Sequence, residues 1–163
     1  MNWSQLCQDR QLADLPYKIE LDKHGKIIMS PASKKHSKLE SKIQRLFVSL
    51  MPQGDPLPEC AIETADGTKV ADVAWISVAR WASMNPDEPS CSVAPEICIE
   101  ILSPTNTREE MLGTPEKPGK RKLYFQAGAV EFWICDGSGN LSFYDPAGQL
   151  PKSSLCPSFP NKV

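Results

Sequence analysis

EICIEIL, at residues 96–102, is the stretch of sequence that decides the fold. Its side chains alternate in direction along an extended strand, which places Glu96, Cys98, Glu100 and Leu102 on one face and the isoleucines on the other. Because almost every residue is apolar, we predict that this strand is central in its sheet. Glu100 then lies in the middle of an apolar strand, where a carboxylate needs a partner, a proton or a metal ion.

KVADVAWIS, at residues 69–77, is a second apolar strand that carries a single acid, Asp72. Two carboxylates delivered by adjacent strands form a hard oxygen site suited to Mg²⁺ or Mn²⁺. A nearby lysine would complete a site for phosphodiester hydrolysis, because the metal polarises the phosphate while the lysine orients water and offsets charge. Acids in strands also face solvent or form salt bridges with lysine, so from spacing alone a structural role for both residues stays open.

Three hairpins are predicted around these strands, because in each case two extended segments flank a short turn that contains glycine. The first joins residues 17–21 to 26–29, the second joins 59–64 to 69–77, and the third joins 130–136 to 141–145. The tail from Pro146 is rich in proline and is predicted to pack as irregular coil.

A helix is predicted over residues 37–51, where apolar residues recur at helical spacing until Pro52 ends the pattern. Either Ser33 or Ser37 is a candidate cap for this helix. Two shorter helices are predicted at residues 106–112 and 120–127. The resulting order of hairpin, helix, hairpin, strand, helix and hairpin indicates an α/β (α+β) fold, in which helices flank a mixed β-sheet.

The bulk composition predicts one globular domain over residues 1–163 in a reducing, cytoplasmic setting. Six cysteines form no C-x-x-C pair and only two histidines are present, which argues against a structural zinc site. The polar N-terminal sequence does not resemble a secretory signal, and no apolar run is long enough to cross a membrane. The net charge is −2, so any site for a polyanion such as DNA must be a local basic patch.

Four segments of the chain together resemble the Uma-two family, whose members are described as restriction-type endonucleases of the PD-(D/E)XK superfamily. The segments are PASKKHSKLE (31–40), VADVAWIS (70–77), PEICIEILSPTNTREEM (95–111) and KRKLYFQAGAVEFWICD (120–136). The most specific part is E-I-L-S-P followed by K-x-x-x-Y, A-G and E-x-W-I-x-D. The resemblance implies a restriction-endonuclease-like sheet, a divalent metal ion and DNA as the substrate.

The resemblance also assigns site residues. The family's aspartate and glutamate fall on Asp72 and Glu100, which would bind Mg²⁺ or Mn²⁺. The lysine that the superfamily usually places two residues after the glutamate is replaced here by Leu102. The resemblance implies that in this family the lysine has moved to the following helix, where it lies four residues before a tyrosine. In this chain that position is Lys120, four residues before Tyr124.

One departure bears on that lysine. Residues 111–119, MLGTPEKPG, are longer than the usual family segment, so the loop could displace the helix that presents Lys120. Lys117 or Lys122 would then be the substitutes, with Lys122 ranked lower because it points elsewhere on the helix. An exposed helical lysine without a catalytic role is the structural alternative for Lys120.

His36 and Glu40 are four residues apart and are expected on one side of the first long helix. His36 matches a histidine of the family and could orient a phosphate or a metal-bound water. Glu40 could supply the acid that this helix often lends to the site in the superfamily. The structural alternatives are a surface histidine near the cap and a solvated partner of Lys38 or Lys42.

Basic residues form two clusters that could line a groove for a phosphate backbone. The first cluster contains Lys34, Lys35, Lys38, Lys42 and Arg45, and the second contains Lys117, Lys120, Arg121 and Lys122. An ordinary solvated surface is the structural alternative for both. Trp75, Trp81 and Trp133 are expected to pack in the core and at its edges.

The sequence therefore predicts a metal-dependent endonuclease that hydrolyses DNA phosphodiester bonds. A homodimer is plausible, because cutting two strands needs two sites. The alternatives are a catalytically inactive module on the same fold that binds nucleic acid or protein, and a metal-dependent hydrolase of another phosphoester.

Overall fold

The computed structural model describes residues 1–13, 15–104 and 106–163, so Asp14 and Thr105, the latter within the SPTNTREEM segment, lie outside it. The helices are α1 (Trp3–Cys7), α2 (Arg10–Ala13), α3 (Lys34–Leu50), α4 (Val78–Ala82), α5 (Arg108–Leu112) and α6 (Lys120–Gln126). The strands are β1 (Tyr17–Leu21), β2 (Ile27–Pro31), β3 (Gly54–Thr64), β4 (Gly67–Ser77), β5 (Ile97–Ile101), β6 (Glu131–Cys135), β7 (Leu141–Asp145) and β8 (Gly148–Leu150).

The main sheet contains six strands in the order β3-β4-β5-β6-β7-β8. Strands β5 and β6 are parallel, whereas the other neighbouring pairs are antiparallel. The chain needs a crossover between the two parallel strands, and α5 and α6 lie in it. The predicted mixed sheet flanked by helices is therefore confirmed, and β5 is an interior strand of that sheet.

The first hairpin forms a separate two-stranded sheet of β1 and β2 that packs beside β4. Among the contacts that join it to β4 are two hydrogen bonds donated by residues of β4. The Val70 backbone N–H donates to Glu20 Oε1 at 2.8 Å, and Lys69 Nζ donates to the Leu21 carbonyl at 3.3 Å. The charged face of β1 is thus directed at the main sheet.

Two apolar layers cover the faces of the main sheet, and the alternation along β5 assigns its residues to them. Ile97, Ile99 and Ile101 contribute to the layer under α3, whereas Cys98 contributes to the opposite layer with Tyr124 of α6. All five are fully buried. The predicted direction of each side chain along this strand is confirmed.

Helix α3 begins three residues earlier than its apolar pattern indicates, because Ser33 is the cap. The Ser33 hydroxyl accepts a hydrogen bond from the His36 backbone N–H at 3.2 Å, which satisfies one free donor of the first turn. Of the two candidate caps, Ser33 is therefore the one used. The helix ends at Leu50, before Pro52, and buries Ile43 and Phe47 against the sheet.

Residues 113–119 fold back on themselves between α5 and α6. Gly113 and Pro118 form an antiparallel bridge, and the Thr114 N–H donates to the Lys117 carbonyl at 2.9 Å. The two ends of the loop are so close that a Cβ atom on Gly119 would overlap with the backbone nitrogen of Gly113. The extra residues therefore leave α6 beside the sheet, and the expected displacement of Lys120 does not occur.

Several short elements were not predicted. Helices α1, α2 and α4 contain five residues or fewer, too few for a periodic pattern. The tail is mostly irregular as predicted, but it also contains β8. Trp75 and Trp133 are buried, whereas the prediction for Trp81 was wrong because its side chain is 47% exposed on α4.

Among the described residues, no helix combines the length and apolar character needed to cross a membrane.

Replacement of Phe47 by alanine tests the apolar layer under α3. Phe47 is fully buried and its ring lies 5.4 Å from that of Trp133, so Phe47→Ala should lower the free energy of unfolding by about 3–5 kcal/mol. Val48 on the same helix is 63% exposed, so Val48→Ala should change it by no more than about 0.5 kcal/mol. Urea unfolding measures both, and equal effects would contradict the assigned helix face.

Candidate functional site

Asp72 and Glu100 converge on a single cationic group, the Lys18 ammonium. Lys18 Nζ lies 2.6 Å from Asp72 Oδ1 and 3.0 Å from Glu100 Oε2. The two acid side chains are 1% and 0% exposed, so neither faces bulk water. The neighbouring strands β4 and β5 thus bring the two predicted metal ligands within reach of one cation.

Each of the two carboxylates also accepts a hydrogen bond from an uncharged donor. The Ile101 backbone N–H donates to Asp72 Oδ2 at 2.7 Å, and the Tyr124 hydroxyl donates to Glu100 Oε1 at 2.7 Å. Asp72 can reach the Ile101 amide because β4 and β5 pair antiparallel, with Val73 opposite Ile99. The other oxygen of each acid accepts from Lys18.

Lys120 reaches the site from the first turn of α6. Its ammonium donates to Glu100 Oε1 at 3.0 Å and to Glu20 Oε1 at 2.6 Å. Lys120 therefore lies in the same cluster as the two acids. Lys18, Asp72 and Lys120 line one surface groove, and Lys117 also lines it. Lys122 instead lies beside a separate surface depression with Phe125.

His36 and Glu40 complete the cluster from α3. His36 Nε2 lies 3.2 Å from Asp72 Oδ2, and His36 Nδ1 lies 3.6 Å from Glu40 Oε2. Both side chains are nearly buried, so neither is a solvated surface residue. His36 Nδ1 and Glu40 Oε1 are buried and have no hydrogen-bond partner among the described residues.

The pKa values of these groups reflect burial and mutual charge. Burial would raise the pKa of Asp72, but the Lys18 charge and the His36 hydrogen bond hold it below its ordinary value. Burial raises the pKa of Glu100, and the Asp72 charge adds to this despite the two lysines. Burial would lower the pKa of Lys18, but the charges of Glu100 and Asp72 hold it well above its ordinary value.

The cluster carries an excess of negative charge. Four carboxylates, those of Glu20, Glu40, Asp72 and Glu100, face three basic groups. A fifth acid, Glu59, lines the same groove, and its pKa is raised by burial and then by the charge of Glu40. The local charge balance therefore favours an additional cation.

Glu59 also has an unusual backbone. Its φ is +47°, a left-handed conformation that non-glycine residues seldom adopt. It lies on β3 between Pro58, which pairs with Val73, and Cys60, which pairs with Ala71, and is thus beside Asp72 across the strand pair. Strained backbone of this kind concentrates at functional sites.

The sequence patterns identified five residues of this cluster and missed Lys18, Glu20 and Glu59. Lys18 and Glu20 share one face of the five-residue strand β1, which is the usual pattern of a solvated hairpin. Their burial depends on the docking of the hairpin against β4, and no local signal reports that contact.

Of the two predicted basic clusters, only the second contributes described residues to the lining of the groove. Lys117 and Lys120 line it together with Lys18 and Lys69. Arg121 instead lies over the ring of Tyr144, with its guanidinium carbon 5.5 Å from the ring centre. Arg121 and Lys122 lie beside a different depression, so only part of the second cluster lines this groove.

In the described part of the chain, no group of three or more His, Cys, Asp or Glu side chains is arranged so that it could hold a metal ion. Two carboxylates are nevertheless sufficient for some ions. Mg²⁺ in phosphoryl-transfer sites is commonly bound by one or two carboxylates, with water and substrate phosphate as the other ligands.

The six-stranded mixed sheet flanked by helices is that of the restriction-endonuclease-like class of folds. A solved structure supports this class: "a putative nuclease belonging to DUF820" from Anabaena variabilis ATCC 29413. The two chains share 19% sequence identity and superpose with a TM-score of 0.69, over 88% of this chain and 86% of the other. At this identity the similarity establishes the fold alone.

Residues 6–153 match the model of the Uma2 (Uma-two) family, described as "putative restriction endonuclease". The chain belongs to this family. No curated protein matches the chain.

The titration of His36 tests the geometry of the cluster. The hydrogen bond to Asp72, followed by the contact with Glu40, raises the pKa of His36 from 6.5 to about 10. Nuclear magnetic resonance of the ring protons should therefore find its midpoint far above that of a free histidine. Asp72→Asn should move the midpoint back toward 6.5, and an unchanged midpoint in this variant would contradict the contact.

The raised pKa of His36 also makes the stability of the fold depend on pH. Because the folded-state pKa is raised, protonated His36 stabilises the fold fully below pH 6.5, and this contribution disappears as pH rises toward about 10. The difference in the free energy of unfolding between wild type and His36→Gln should therefore shrink across this interval. A constant difference would show that the histidine acts through packing.

Proposed function

We propose that the protein is a metal-dependent endonuclease that hydrolyses DNA phosphodiester bonds, with Asp72 and Glu100 as the metal ligands. The observation that carries the proposal is the convergence of these two buried acids on one cationic group, within 3.0 Å of each. Membership of a family described as "putative restriction endonuclease" supports nucleic-acid cleavage as the reaction.

The donor set fits Mg²⁺ or Mn²⁺. Both ions prefer oxygen ligands, and Asp72 Oδ1 and Glu100 Oε2 are the oxygens directed at a shared position. The unpartnered oxygen of Glu40 and the excess of carboxylates in the cluster also favour a bound cation. When bound, such an ion would polarise the phosphate and lower the pKa of a coordinated water.

The side chains around the two ligands have distinct roles in this proposal. Tyr124 and the Ile101 amide fix the orientation of the ligand carboxylates. The Lys120 ammonium, held between Glu100 and Glu20, offsets charge on the phosphate oxygens and orients the attacking water. His36 restrains Asp72, and Glu40 is the second acid on that side.

DNA is the proposed substrate because basic side chains border the acidic centre. Lys117, Lys69 and Lys120 line the groove, while Lys34 and Lys35 are exposed at the start of α3. Such groups position a phosphate backbone without reading its sequence. We also propose a cytoplasmic homodimer, since double-strand cleavage requires two active sites.

Cleavage of supercoiled plasmid with Mg²⁺ or Mn²⁺ tests the reaction and its ligands. Wild type should nick the plasmid only with the metal, whereas Asp72→Asn and Glu100→Gln should each lower the rate by more than about 100-fold, because each removes a ligand. Glu116→Gln is the matched control, since this acid is exposed on the loop between α5 and α6. Equal rates in all four proteins would exclude this site.

A pair of lysines on α6 tests the position of the catalytic ammonium. Lys120→Met should lower the nicking rate by about 10²–10³-fold, because the charge near the reacting phosphate is lost. Lys122→Met removes the same charge two residues away, on an exposed side chain, and should keep nearly the wild-type rate. A larger loss in Lys122→Met would contradict the assignment.

A second candidate function is a nuclease-fold module that binds nucleic acid without cutting it. The observation in its favour is that Lys18, a cation of the protein itself, already pairs with both Asp72 and Glu100. Plasmid binding by a wild type that never nicks, at any Mn²⁺ concentration, would support this alternative and contradict the endonuclease.

A further inference from the structure

We propose that Lys18 is an internal competitor for the divalent cation, so that its ammonium and the metal occupy the Asp72–Glu100 position alternately. The inference rests on the proposed metal-dependent function and describes the regulation of that same site. It concerns a residue of the separate N-terminal hairpin, outside the sheet that supplies the two acids.

Lys18 donates its two hydrogen bonds to the oxygens of Asp72 and Glu100 that the other donors leave free. Asp72 Oδ2 accepts from the Ile101 amide, and Glu100 Oε1 accepts from Tyr124 and Lys120. Asp72 Oδ1 and Glu100 Oε2 have Lys18 as their only hydrogen-bond partner in the ranges that the structure describes. The ammonium thus uses the two acceptors that would be available to hold a metal ion.

A cation and the ammonium cannot use these acceptors together. Metal–oxygen distances are about 2.0–2.2 Å for Mg²⁺ and similar ions, shorter than the two Lys18 contacts. An ammonium at its present position would then lie almost in contact with a divalent charge, in a buried setting where screening is weak. Uptake of the metal therefore requires the ammonium to leave.

The placement of Lys18 allows this exchange without rearrangement of the sheet. The hairpin is held to β4 by Glu20 and by the Leu21 carbonyl, through bonds that do not involve Lys18. The Lys18 side chain has a flexible four-carbon stem and lines the open groove. Rotation about its side-chain bonds can therefore move the ammonium into the groove. Lys120 differs, because it contacts Glu100 Oε1 and Glu20 and leaves Asp72 untouched.

Two effects of opposite sign follow for the variant Lys18→Met. Without metal, the variant leaves two buried acids with less compensation, so it should unfold more easily than wild type. With metal, it should bind more tightly, because no ammonium has to be displaced. By linkage, the metal and the Lys18 contact weaken each other by the same factor.

Titration calorimetry with Mn²⁺ alone, without DNA, measures the competition. Lys18→Met should bind Mn²⁺ about tenfold more tightly than wild type, within the usual range of coupling between sites. Lys120→Met is the matched control, since it also removes one positive charge from Glu100, and its gain should be clearly smaller. Asp72→Asn in the Lys18→Met background should abolish binding.

Chemical labelling of the wild-type protein provides a readout that does not depend on a folded variant. Acetic anhydride should modify Lys18 slowly without Mn²⁺ and several-fold faster with it, as measured by mass spectrometry of peptides. Lys69, buried and 3.0 Å from Asp66 Oδ2, should stay protected in both states if the side chain moves alone. Exposed Lys38 serves as the internal standard.

The outcomes separate this inference from the proposed function. Tighter binding by Lys18→Met together with metal-dependent labelling of Lys18 supports it. Metal binding by wild type with equal or weaker binding by Lys18→Met, or an equal gain in Lys120→Met, overturns the inference while the metal site stands. Absence of Mn²⁺ binding in every protein overturns both.

Discussion

The burial of two carboxylates between β4 and β5 is the constraint on which the rest of the structure depends. Transfer of an uncompensated carboxylate from water into a protein interior costs several kcal/mol, so Asp72 and Glu100 require partners from outside their own strands. Those partners come from the hairpin, from α3 and from α6. Elements from three different parts of the chain are therefore held together at one polar centre.

This arrangement explains the separate status of the N-terminal hairpin. Strands β1 and β2 do not extend the main sheet, yet Lys18 and Glu20 are among the least exposed charged residues of the chain. Glu20 accepts from the Val70 amide and from Lys120, so one carboxylate joins the hairpin, the sheet and α6. The contacts that dock the hairpin are consequently also contacts of the centre.

The sequence predicted what depends on local periodicity. The alternation along residues 96–102 fixed the buried strand and the face of Glu100, and the apolar spacing in residues 37–51 located the long helix. Family motifs then pointed to Asp72, Lys120, His36 and Glu40, all of which lie at one centre. Lys18 could not be found in this way, because an alternating charged hairpin has the same pattern whether it faces water or two buried acids.

The two ends of the loop between α5 and α6 meet in a narrow neck, formed by Gly113, Pro118 and Gly119, which affects how the length of this loop can change. Gly113 and Gly119 bring the loop's ends together, so residues 114–118 protrude from a closed base. The free-energy cost of closing a loop grows slowly with the length of the loop. In this chain the contact between the two ends also separates the protruding residues from α6. The same neck could carry a longer peptide, such as an epitope or a reporter, at a fixed point on the rim of the groove.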